Sequence, residues 1–316
     1  MKIVVPDDFP LLLSGTPAER QLRELGDVTI YTERGANDEA ELIRRIDKAD
    51  VVVSLRAYSR FSRRVIDACP SLRMISIWGT GTDNVDHDAC RDRGIVVTNT
   101  PGVNANSVAE QTMALMLAVA RQIPAMDRGT RAGEWPRAML VQLEGKTLGV
   151  LGLGAIGQRV ATLAMAFGMR VLANAWRGDD GRAGSTGAKY VELDELLRES
   201  DFVSLHLRLN PETNGLLSRE RLALMKPSAF LINTARGALV DQAALVDALR
   251  NGRLAGAGLD VFQQEPILAT DPLLALPNVV VTPHNAGTTE EVIALGLRKT
   301  VANVEHFLHE TPPTFR

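Results

Sequence analysis

Short runs of β-branched and apolar residues alternate with longer amphipathic stretches from the first residue onward. The runs predict five strands, at residues 2–5, 28–31, 50–54, 73–77 and 95–97. Helical patterns lie between them, near residues 17–25, 38–47, 62–69 and 86–93. Strands that alternate with helices form parallel sheets that are covered by helices on both faces. The pattern therefore predicts one α/β domain that ends near residue 99.

The stretch 104–125 interrupts this alternation. Its sequence, NANSVAEQTMALMLAVARQIPA, is rich in Ala, Leu and Met and has one proline near its end. These residues favour a helix, and their apolar character favours burial of that helix. We therefore expect one long, largely buried helix before the next α/β series.

A second alternating series follows this helix. Its six predicted strands lie at residues 147–151, 170–173, 202–205, 229–233, 255–259 and 279–282. Six strands with intervening helices make a complete doubly wound nucleotide-binding sheet. The final helical pattern, 289–308, could pack back on the first domain. We expect a discontinuous first domain, 1–99 with 286–316, and an inserted second domain, 100–285.

Composition narrows the classes of function. The 316 residues include 35 Lys plus Arg and 38 Asp plus Glu, which is unlike the basic surface of a nucleic-acid-binding protein. No apolar run approaches the roughly 18 residues of a membrane span, and the N-terminal residues predict a strand, not a signal peptide. Two cysteines do not make a disulfide framework, and no metal-ligand set is evident. We expect a cytoplasmic globular protein without a nucleic-acid, membrane or metal partner.

A glycine-rich turn follows the first strand of the second series. The segment GKTLGVLGLGAIG holds Gly152, Gly154 and Gly157 in the spacing GxGxxG, between a strand pattern and a helix pattern. In this context the first glycine allows a tight turn, the second lets the main chain approach a pyrophosphate, and the third lets helix and strand pack closely. The N–H groups of Ala155 and Ile156 would face the phosphate. The segment predicts a dinucleotide site, with a purely structural turn as the alternative.

The end of the next strand bears on the choice of cofactor. NAD sites usually place Asp or Glu there, on the adenosine ribose hydroxyls. Here the strand ends in Asn174, Ala175, Trp176 and Arg177, and the first acid is Asp179. The missing carboxylate removes a repulsion against a 2′-phosphate, and Arg177 could pair with that phosphate. The sequence accepts NAD or NADP and favours NADP, unless Arg177 is merely a solvated loop residue.

Three polar side chains follow the last three predicted strands. They are Arg236, Glu265 and His284. Ligands of doubly wound sheets bind at that edge. An arginine can hold the oxygens of a carboxylate and a neighbouring carbonyl, a histidine can exchange the hydroxyl proton, and a glutamate can orient the histidine and favour its charged form. The set suits hydride transfer at a carbon that lies beside a carboxylate.

Seven segments extend this picture over nearly the whole chain. They are GTGTDNVD (79–86), NTPGVNANSVAE (99–110), RAGEWPR (131–137), GKTLGVLGLGAIG (145–157), NTARGALVD (233–241), GLDVFQQEP (258–266) and TPHNAG (282–287). In these segments the chain resembles the D-isomer-specific 2-hydroxyacid dehydrogenases, which include phosphoglycerate, glycerate and D-lactate dehydrogenases. The resemblance implies a Rossmann domain inserted in a flavodoxin-like substrate domain. It also implies hydride transfer between a nicotinamide cofactor and C2 of a D-2-hydroxy or 2-keto acid.

The resemblance also implies roles for individual residues. Arg236 would bind the substrate in catalysis, His284 would be the acid–base, and Glu265 would be its partner. The implied substrate-binding residues are Arg56, Trp78, Gly79, Thr80 and Gly81, with backbone N–H groups of 79–81 on the carboxylate. The implied cofactor-binding residues are Thr80, Thr112, Gly152, Gly154, Ala155, Ile156, Gly157, Asn174, Trp176, Arg177, His206, Leu207, Arg208, Thr234, Ala235, Arg236, Asp260, His284 and Ala286. Members of the family are usually homodimers joined through the nucleotide domains, with helix 104–125 at the interface.

Departures from the family leave alternatives open. Ile77 stands where phosphoglycerate dehydrogenases can carry a second phosphate-binding arginine, so the acid is not identified. Arg208 replaces a frequent proline, either as a second 2′-phosphate ligand or as a surface residue. A formate- or phosphite-type dehydrogenase shares the fold, although formate enzymes use Gln where this chain has Glu265. Dinucleotide-sensing corepressors share even the Arg–Glu–His set, but they carry tails that we do not expect here.

Overall fold

The structure, a computed structural model, describes residues 1–56, 58–175, 178 and 181–309. The chain forms two compact units. One consists of Met1–Asn104 with Thr288–Arg316, and the other of Ala105–Gly287. The boundaries expected from the sequence, 99/100 and 285/286, lie slightly before these positions.

The first unit is built on a five-stranded parallel sheet. Its strands are β1 (Lys2–Val5), β2 (Asp27–Ile30), β3 (Val51–Ser54), β4 (Met74–Ile77) and β5 (Val96–Thr98). Their order is β2-β1-β3-β4-β5, the order of flavodoxin-like sheets. Every residue of β3 and β4 is buried, as expected of strands with helices on both faces.

The helices that cover this sheet come from both ends of the chain. They are α1 (Pro17–Leu25), α2 (Glu39–Ile46), α3 (Arg63–Ala68), α4 (His87–Asp92) and, from the end of the chain, α12 (Glu290–Leu308). One apolar cluster lies under α2, α3 and α4, and another lies under α1 and α12. Thr289 caps α12 by accepting a hydrogen bond from the Val292 N–H, which fixes where this returning helix begins.

The second unit is built on a seven-stranded parallel sheet. Its strands are β6 (Thr147–Leu151), β7 (Arg170–Asn174), β8 (Lys189–Tyr190), β9 (Phe202–Leu205), β10 (Phe230–Asn233), β11 (Gly256–Leu259) and β12 (Val279–Val281), in the order β12-β11-β10-β9-β6-β7-β8. The chain reverses its direction across the sheet between β8 and β9, so β6 and β9 flank a switch point of the kind that binds dinucleotides. The two parallel α/β sheets confirm the predicted fold class. The sequence missed β8, because two residues are too few for a periodic pattern.

The helices of the second unit pack on both faces of its sheet. They are α5 (Ala105–Ala120), α6 (Ile123–Arg131), α7 (Ala155–Ala166), α8 (Arg182–Thr186), α9 (Leu193–Glu199), α10 (Arg219–Leu222) and α11 (Gln242–Arg250). The core under α5 and α7 and the core under α9 to α11 lie on opposite faces of the sheet. Leu115 and Met116 of α5 are buried in the first of these cores.

The single helix predicted for 104–125 is wrong. The helix divides at Gln122, whose φ of 48° is left-handed, and α6 restarts with Pro124 in its first turn. A proline in a helix interior lacks the N–H that would bond four residues back and clashes with that carbonyl. A restart places Pro124 where no such bond is needed.

The part of the chain that the structure describes lacks both a membrane-spanning helix and a cluster of metal ligands. In that part of the chain, no helix combines the length and apolar character needed to cross a membrane. The same residues hold no group of three or more His, Cys, Asp or Glu side chains placed to bind a metal ion.

Candidate active site

The glycine-rich turn joins β6 to α7, and its three glycines have different surroundings. Gly152 has a φ of 98°, and a Cβ there would lie 2.7 Å from the carbonyl oxygen of His206. A Cβ on Gly157 would lie 1.9 Å from the carbonyl oxygen of Gly152. A Cβ on Gly154 would meet nothing within 4 Å. Gly152 and Gly157 therefore allow close packing inside the protein, and Gly154 leaves the main chain open to an approaching group.

The start of α7 gives this open main chain a positive character. Gly154 is the N-cap residue of α7 and has no side chain to cap the helix. The first-turn N–H groups, those of Ala155, Ile156 and Gly157, have no acceptor within their own helix. The helix dipole adds partial positive charge at the same end. The residues present thus fit the pyrophosphate of a dinucleotide.

The wall beside this turn is uncharged. His206 and Leu207 follow β9, and a Cβ on Gly152 would lie 3.1 Å from Leu207 Cδ2. Burial lowers the pKa of His206 to about 3, so its imidazole is neutral at physiological pH. Its Nε2 lies 2.8 Å from Ser204 Oγ. A neutral wall of this kind suits the adenine side of a nucleotide.

Residues at the end of β7 are only partly described. Asn174 is buried, and its Nδ2 donates to the Val191 carbonyl at 3.0 Å, which commits the amide nitrogen to the fold. Trp176 and Arg177, both predicted to contact the cofactor, lie outside the described residues. Arg208 is exposed. The cofactor contact expected of Arg177 therefore stays a prediction.

Arg182 is a residue that sequence reasoning missed. It begins α8, and its Nη1 donates to the Leu153 carbonyl at 3.3 Å. Leu153 stands between the first two glycines of the turn, so a guanidinium lies beside that turn. The packing of α8 against α7 brings Arg182 there. No motif marks an isolated arginine in a Gly- and Ser-rich stretch, so the sequence alone offered no signal.

A pair of buried threonines lies on the nicotinamide side predicted from the sequence. The hydroxyls of Thr112, on α5, and Thr234, after β10, are 2.8 Å apart. Asn233 fixes the loop that follows Thr234. Its Oδ1 accepts from the Ala235 N–H at 3.0 Å, and its Nδ2 donates to the Arg236 carbonyl at 2.9 Å. The last residue of β10 therefore sets the backbone that presents Arg236.

The arginine loop is pressed against the loop that carries Glu265. A Cβ on Gly237 would lie 2.0 Å from the carbonyl carbon of Phe262, so only glycine allows this contact. The Arg236 side chain donates from Nη1 to the Ala235 carbonyl at 2.8 Å. Its charge is one of the influences that lower the pKa of Glu265. Arg236 and Glu265 thus belong to one electrostatic group.

His284 and Glu265 form a close polar pair. His284 Nδ1 lies 2.6 Å from Glu265 Oε2, and Glu265 Oε1 accepts from the Phe262 N–H at 3.0 Å. Burial raises the pKa of Glu265, but the hydrogen bond and charge of His284, the Phe262 N–H and the charge of Arg236 together hold it below the usual range. The carboxylate is therefore ionised and holds Nδ1. The other ring nitrogen, Nε2, is the one that can exchange a proton with a ligand.

Asp260 is bonded to the turn that carries His284. Its fully buried carboxylate accepts from Thr282 Oγ1 at 2.5 Å, from the Asn285 N–H at 3.1 Å and from the Ala286 N–H at 3.0 Å. Its carbonyl accepts from the His284 N–H at 2.8 Å. Asp260 is thus an anchor for the turn that carries His284. The contact with the nicotinamide expected from the sequence stays a prediction.

The loop expected to bind the substrate carboxylate follows β4 in the first unit. Gly79 has a φ of 131°, and its N–H donates to Thr100 Oγ1 at 2.8 Å. Asn99 Nδ2 donates to the Thr80 carbonyl at 2.7 Å. The expected donation from Gly79 to a carboxylate is therefore not supported, because Thr100 already accepts that hydrogen bond. The N–H groups of Thr80 and Gly81 are the ones that fit the expectation.

The two other substrate residues have partners within the first unit. Trp78 packs on α12, where a Cβ on Gly296 would lie 2.3 Å from the indole Nε1. Nε1 is buried and has no hydrogen-bond partner among the described residues, and the partly buried indole packs on the apolar cluster of the first unit. The substrate contact expected of Trp78 stays a prediction. Arg56 follows β3, and its Nη2 donates to the Pro10 carbonyl.

Comparison with known proteins agrees with this geometry. Residues 113–286 match the family described as "D-isomer specific 2-hydroxyacid dehydrogenase, NAD binding domain". The glyoxylate reductase of Korarchaeum cryptofilum is 40% identical over 301 residues, which are 93% of this chain and 90% of that protein. The D-3-phosphoglycerate dehydrogenase of Methanocaldococcus jannaschii is 43% identical over 273 residues, 85% of this chain. Those residues are 51% of that relative, so the chain spans about half its length.

Solved structures show the same relationship. The TT0316 protein from Thermus thermophilus superposes with a TM-score of 0.90 at 40% identity, covering 100% of this chain and 99% of that one. The acyclic imino acid reductase Bsp5, in complex with NADPH and D-Arg, has a TM-score of 0.88 at 31% identity and covers 99% and 98%. The family predicted from seven sequence segments is thereby confirmed. This protein belongs to the D-isomer specific 2-hydroxyacid dehydrogenase family.

Proposed function

We propose that the protein reduces a small 2-keto acid with a nicotinamide dinucleotide to the corresponding 2-hydroxy acid, which is the D isomer where C2 becomes a stereocentre. The observation that carries the proposal is the 2.6 Å contact between His284 Nδ1 and Glu265 Oε2, in the unit that also holds Arg236 and the glycine-rich turn. This is an acid–base group with its orienting carboxylate and a carboxylate-binding cation.

The residues divide the work of the reaction as follows. The dinucleotide, when bound, supplies the hydride to C2 in reduction and accepts it in oxidation. Arg236 holds the carboxylate and the C2 oxygen of the acid. Protonated His284 gives its Nε2 proton to that oxygen in reduction, and neutral His284 takes the hydroxyl proton in oxidation. Glu265 holds Nδ1 and stabilises the imidazolium.

The proposed cofactor is NADP. β7 ends in Asn174, with no carboxylate to repel a 2′-phosphate. Arg182 adds positive charge beside the glycine turn, and exposed Arg208 remains a second candidate. The structural neighbour Bsp5, an acyclic imino acid reductase, was solved in complex with NADPH. The 2′-phosphate would pair with guanidinium groups on this side of the turn.

The proposed substrates are glyoxylate and hydroxypyruvate rather than phosphoglycerate. The position for a second phosphate-binding arginine holds Ile77, which is buried in β4. Arg56 has its Nη2 engaged by the Pro10 carbonyl. A relative that this chain matches over 90% of its length is a glyoxylate reductase. These features favour an acid without a second anionic group.

The protein is proposed to form a homodimer through its second unit. Ile123, Trp135 and Met139 lie on α6 or just after it and are 52%, 72% and 95% exposed. Exposed apolar side chains gathered in one stretch mark a protein interface. The apolar residues of α5 are largely buried in its own unit, so the proposed surface begins at Ile123, near the end of the predicted helix 104–125, and continues beyond it.

The cytoplasm remains the proposed location. Cys69 and Cys90 are buried free thiols, and burial raises the pKa of each to about 11. They therefore stay protonated and unreactive, which suits a reducing compartment. Fractionation of cells that produce the protein would check this location.

A substrate panel tests the proposed reaction. Purified protein is mixed with glyoxylate, hydroxypyruvate, pyruvate or phenylpyruvate and with NADH or NADPH, and the loss of reduced cofactor is followed. We expect reduction of glyoxylate or hydroxypyruvate, and its near-complete loss in His284→Ala with dinucleotide binding retained. Binding without reduction of any keto acid would favour a dinucleotide sensor, and oxidation of phosphite or formate alone would favour that class of dehydrogenase.

A further inference from the structure

The turn that carries the catalytic histidine needs support from outside. His284 has a φ of 52°, in the left-handed region that side-chain-bearing residues rarely adopt. Such a conformation persists only where its surroundings fix it. The turn is exposed from Pro283 to Asn285, so its neighbours in sequence give it little cover. Its hydrogen bonds to the rest of the unit must therefore hold it.

All three N–H groups of the turn donate to one residue. The His284 N–H donates to the Asp260 carbonyl, and the Asn285 and Ala286 N–H groups donate to the two carboxylate oxygens of Asp260. Asp260 is fully buried at the end of β11. This residue holds the donor side of the turn but not its carbonyl side.

The carbonyl side is held from α5. Ser107 Oγ donates to the Ala286 carbonyl at 2.6 Å, and both residues are buried, with exposures of 8% and 5%. α5 packs on β10, β11 and β12. These are the strands that precede Arg236, Glu265 and His284. One helix thus lies across all three catalytic strands, and the Ser107 hydroxyl joins it to the histidine turn.

This use of a buried serine is not the usual local one. Serines in or next to helices commonly bond a carbonyl four residues back. Ser200 does so, with its Oγ 2.6 Å from the Leu196 carbonyl. The acceptor of Ser107 lies 179 residues further along the chain. The bond therefore serves tertiary placement of the turn, not the local stability of α5.

We propose that Ser107 is a positioning residue for proton transfer by His284. The inference rests on the proposed acid–base role of His284. By holding the Ala286 carbonyl, the hydroxyl keeps the left-handed turn in place, so that Nδ1 stays on Glu265 and Nε2 keeps one direction. Without the hydroxyl the Ala286 carbonyl loses this bond, the Gln111 bond to Thr282 reaches only the start of the turn, and the imidazole samples orientations that break the pair. The glycine-rich turn, which follows β6, is not affected.

The test compares three variants with the wild-type enzyme. Ser107→Ala removes the hydroxyl, Ser107→Thr restores one, and Ser200→Ala removes a buried serine hydroxyl with the same 2.6 Å bond in the same unit but away from the turn. The readouts are kcat and KM for glyoxylate and hydroxypyruvate, the dissociation constant of NADPH by fluorescence, and the melting temperature.

Ser107→Ala should lower kcat roughly tenfold or more, because small misplacement of a catalytic group is costly, with an unchanged NADPH dissociation constant. Ser107→Thr should recover most of that loss. Ser200→Ala should lower the melting temperature about as much as Ser107→Ala does, and it should keep the wild-type kcat. A Ser107→Ala enzyme with the kcat of Ser200→Ala would overturn the inference.

A second readout needs neither cofactor nor turnover. Histidine NMR of the dinucleotide-free protein, assigned with His284→Asn, follows the His284 ring. Ser107→Ala should shift or broaden this signal towards its position in Glu265→Gln, and Ser200→Ala should not. An unmoved signal would contradict the inference. A wild-type protein that reduces no 2-keto acid would instead contradict the proposed function, and the NMR comparison would still decide the role of Ser107.

Discussion

At the scale of single residues, the site depends on how Glu265 and His284 share charge. The pKa of Glu265 lies below its ordinary range, so its carboxylate stays ionised as the pH falls through the range in which exposed glutamates gain a proton. An ionised partner favours the protonated imidazole. Reduction uses that protonated form and oxidation uses the neutral one, so the two directions must respond oppositely to pH.

Glu265→Gln tests this relationship. Reduction draws on the protonated imidazole and oxidation on the neutral one, so the rates of the wild-type enzyme in the two directions should change in opposite senses with pH. The glutamine variant loses the charge that favours imidazolium, so both limbs should move to lower pH and turnover should slow. Rate profiles in both directions measure the shift. Profiles that do not move would remove Glu265 as the partner of His284.

The charge of Arg182 bears on the choice between NADPH and NADH. A guanidinium that pairs with a phosphate contributes about 1.5–3 kcal/mol. We expect Arg182→Ala to weaken NADPH binding roughly tenfold or more and to leave NADH binding nearly unchanged. Arg198→Ala, which removes an exposed arginine from α9, is the matched control.

Titration with adenosine fragments sharpens the test of Arg182. A loss confined to adenosine 2′,5′-bisphosphate would place the guanidinium at the 2′-phosphate. An equal loss for ADP would move it to the pyrophosphate. Equal affinities of the variant and the wild-type protein for NADPH would exclude Arg182 from the cofactor site.

At the scale of elements, the turn between β6 and α7 separates packing from binding. Gly157→Ala should destabilise the protein by several kcal/mol, because its Cβ would overlap the Gly152 carbonyl at 1.9 Å. Gly154→Ala should keep the wild-type melting temperature, because its Cβ meets nothing within 4 Å. It should nevertheless weaken dinucleotide binding, since the methyl group occupies the open face. Thermal unfolding and dinucleotide titration of both variants would reveal a failure of either expectation.

The elements also show how far the sequence could predict this molecule. The strands of both sheets, except the two-residue β8, follow from apolar runs, and the three side chains proposed for catalysis follow from motifs at strand ends. The division at Gln122 did not follow, because a Leu- and Ala-rich stretch favours helix throughout and only backbone geometry reveals the break. Contacts made across long sequence separations were equally hidden. The Gly79 N–H donates to Thr100 Oγ1, and Ser107 Oγ donates to the Ala286 carbonyl, although no local sequence pattern marks either pair.

At the scale of the whole molecule, the exposed apolar side chains of Ile123, Trp135 and Met139 predict an interface with a second copy of the chain. Trp135→Ser combined with Met139→Asp should convert the proposed dimer to a monomer. Leu274→Asp, at an apolar position of the second unit that is 42% exposed, should leave the dimer intact. Sedimentation velocity over a range of protein concentrations measures the outcome. A wild-type chain that sediments as a monomer at all concentrations would contradict the proposal.

The bond between Ser107 and Ala286 has a consequence for how such a chain can be assembled. The second unit begins at Ala105 and ends at Gly287, so this bond joins its third residue to its second-to-last residue. A module whose two ends meet can be inserted into a host chain at one point without pulling the host apart. The two ends of the second unit are thus held together by the same hydroxyl that we propose as support for the His284 turn. A substitution of Ser107 that loosens this closure should therefore also disturb that turn.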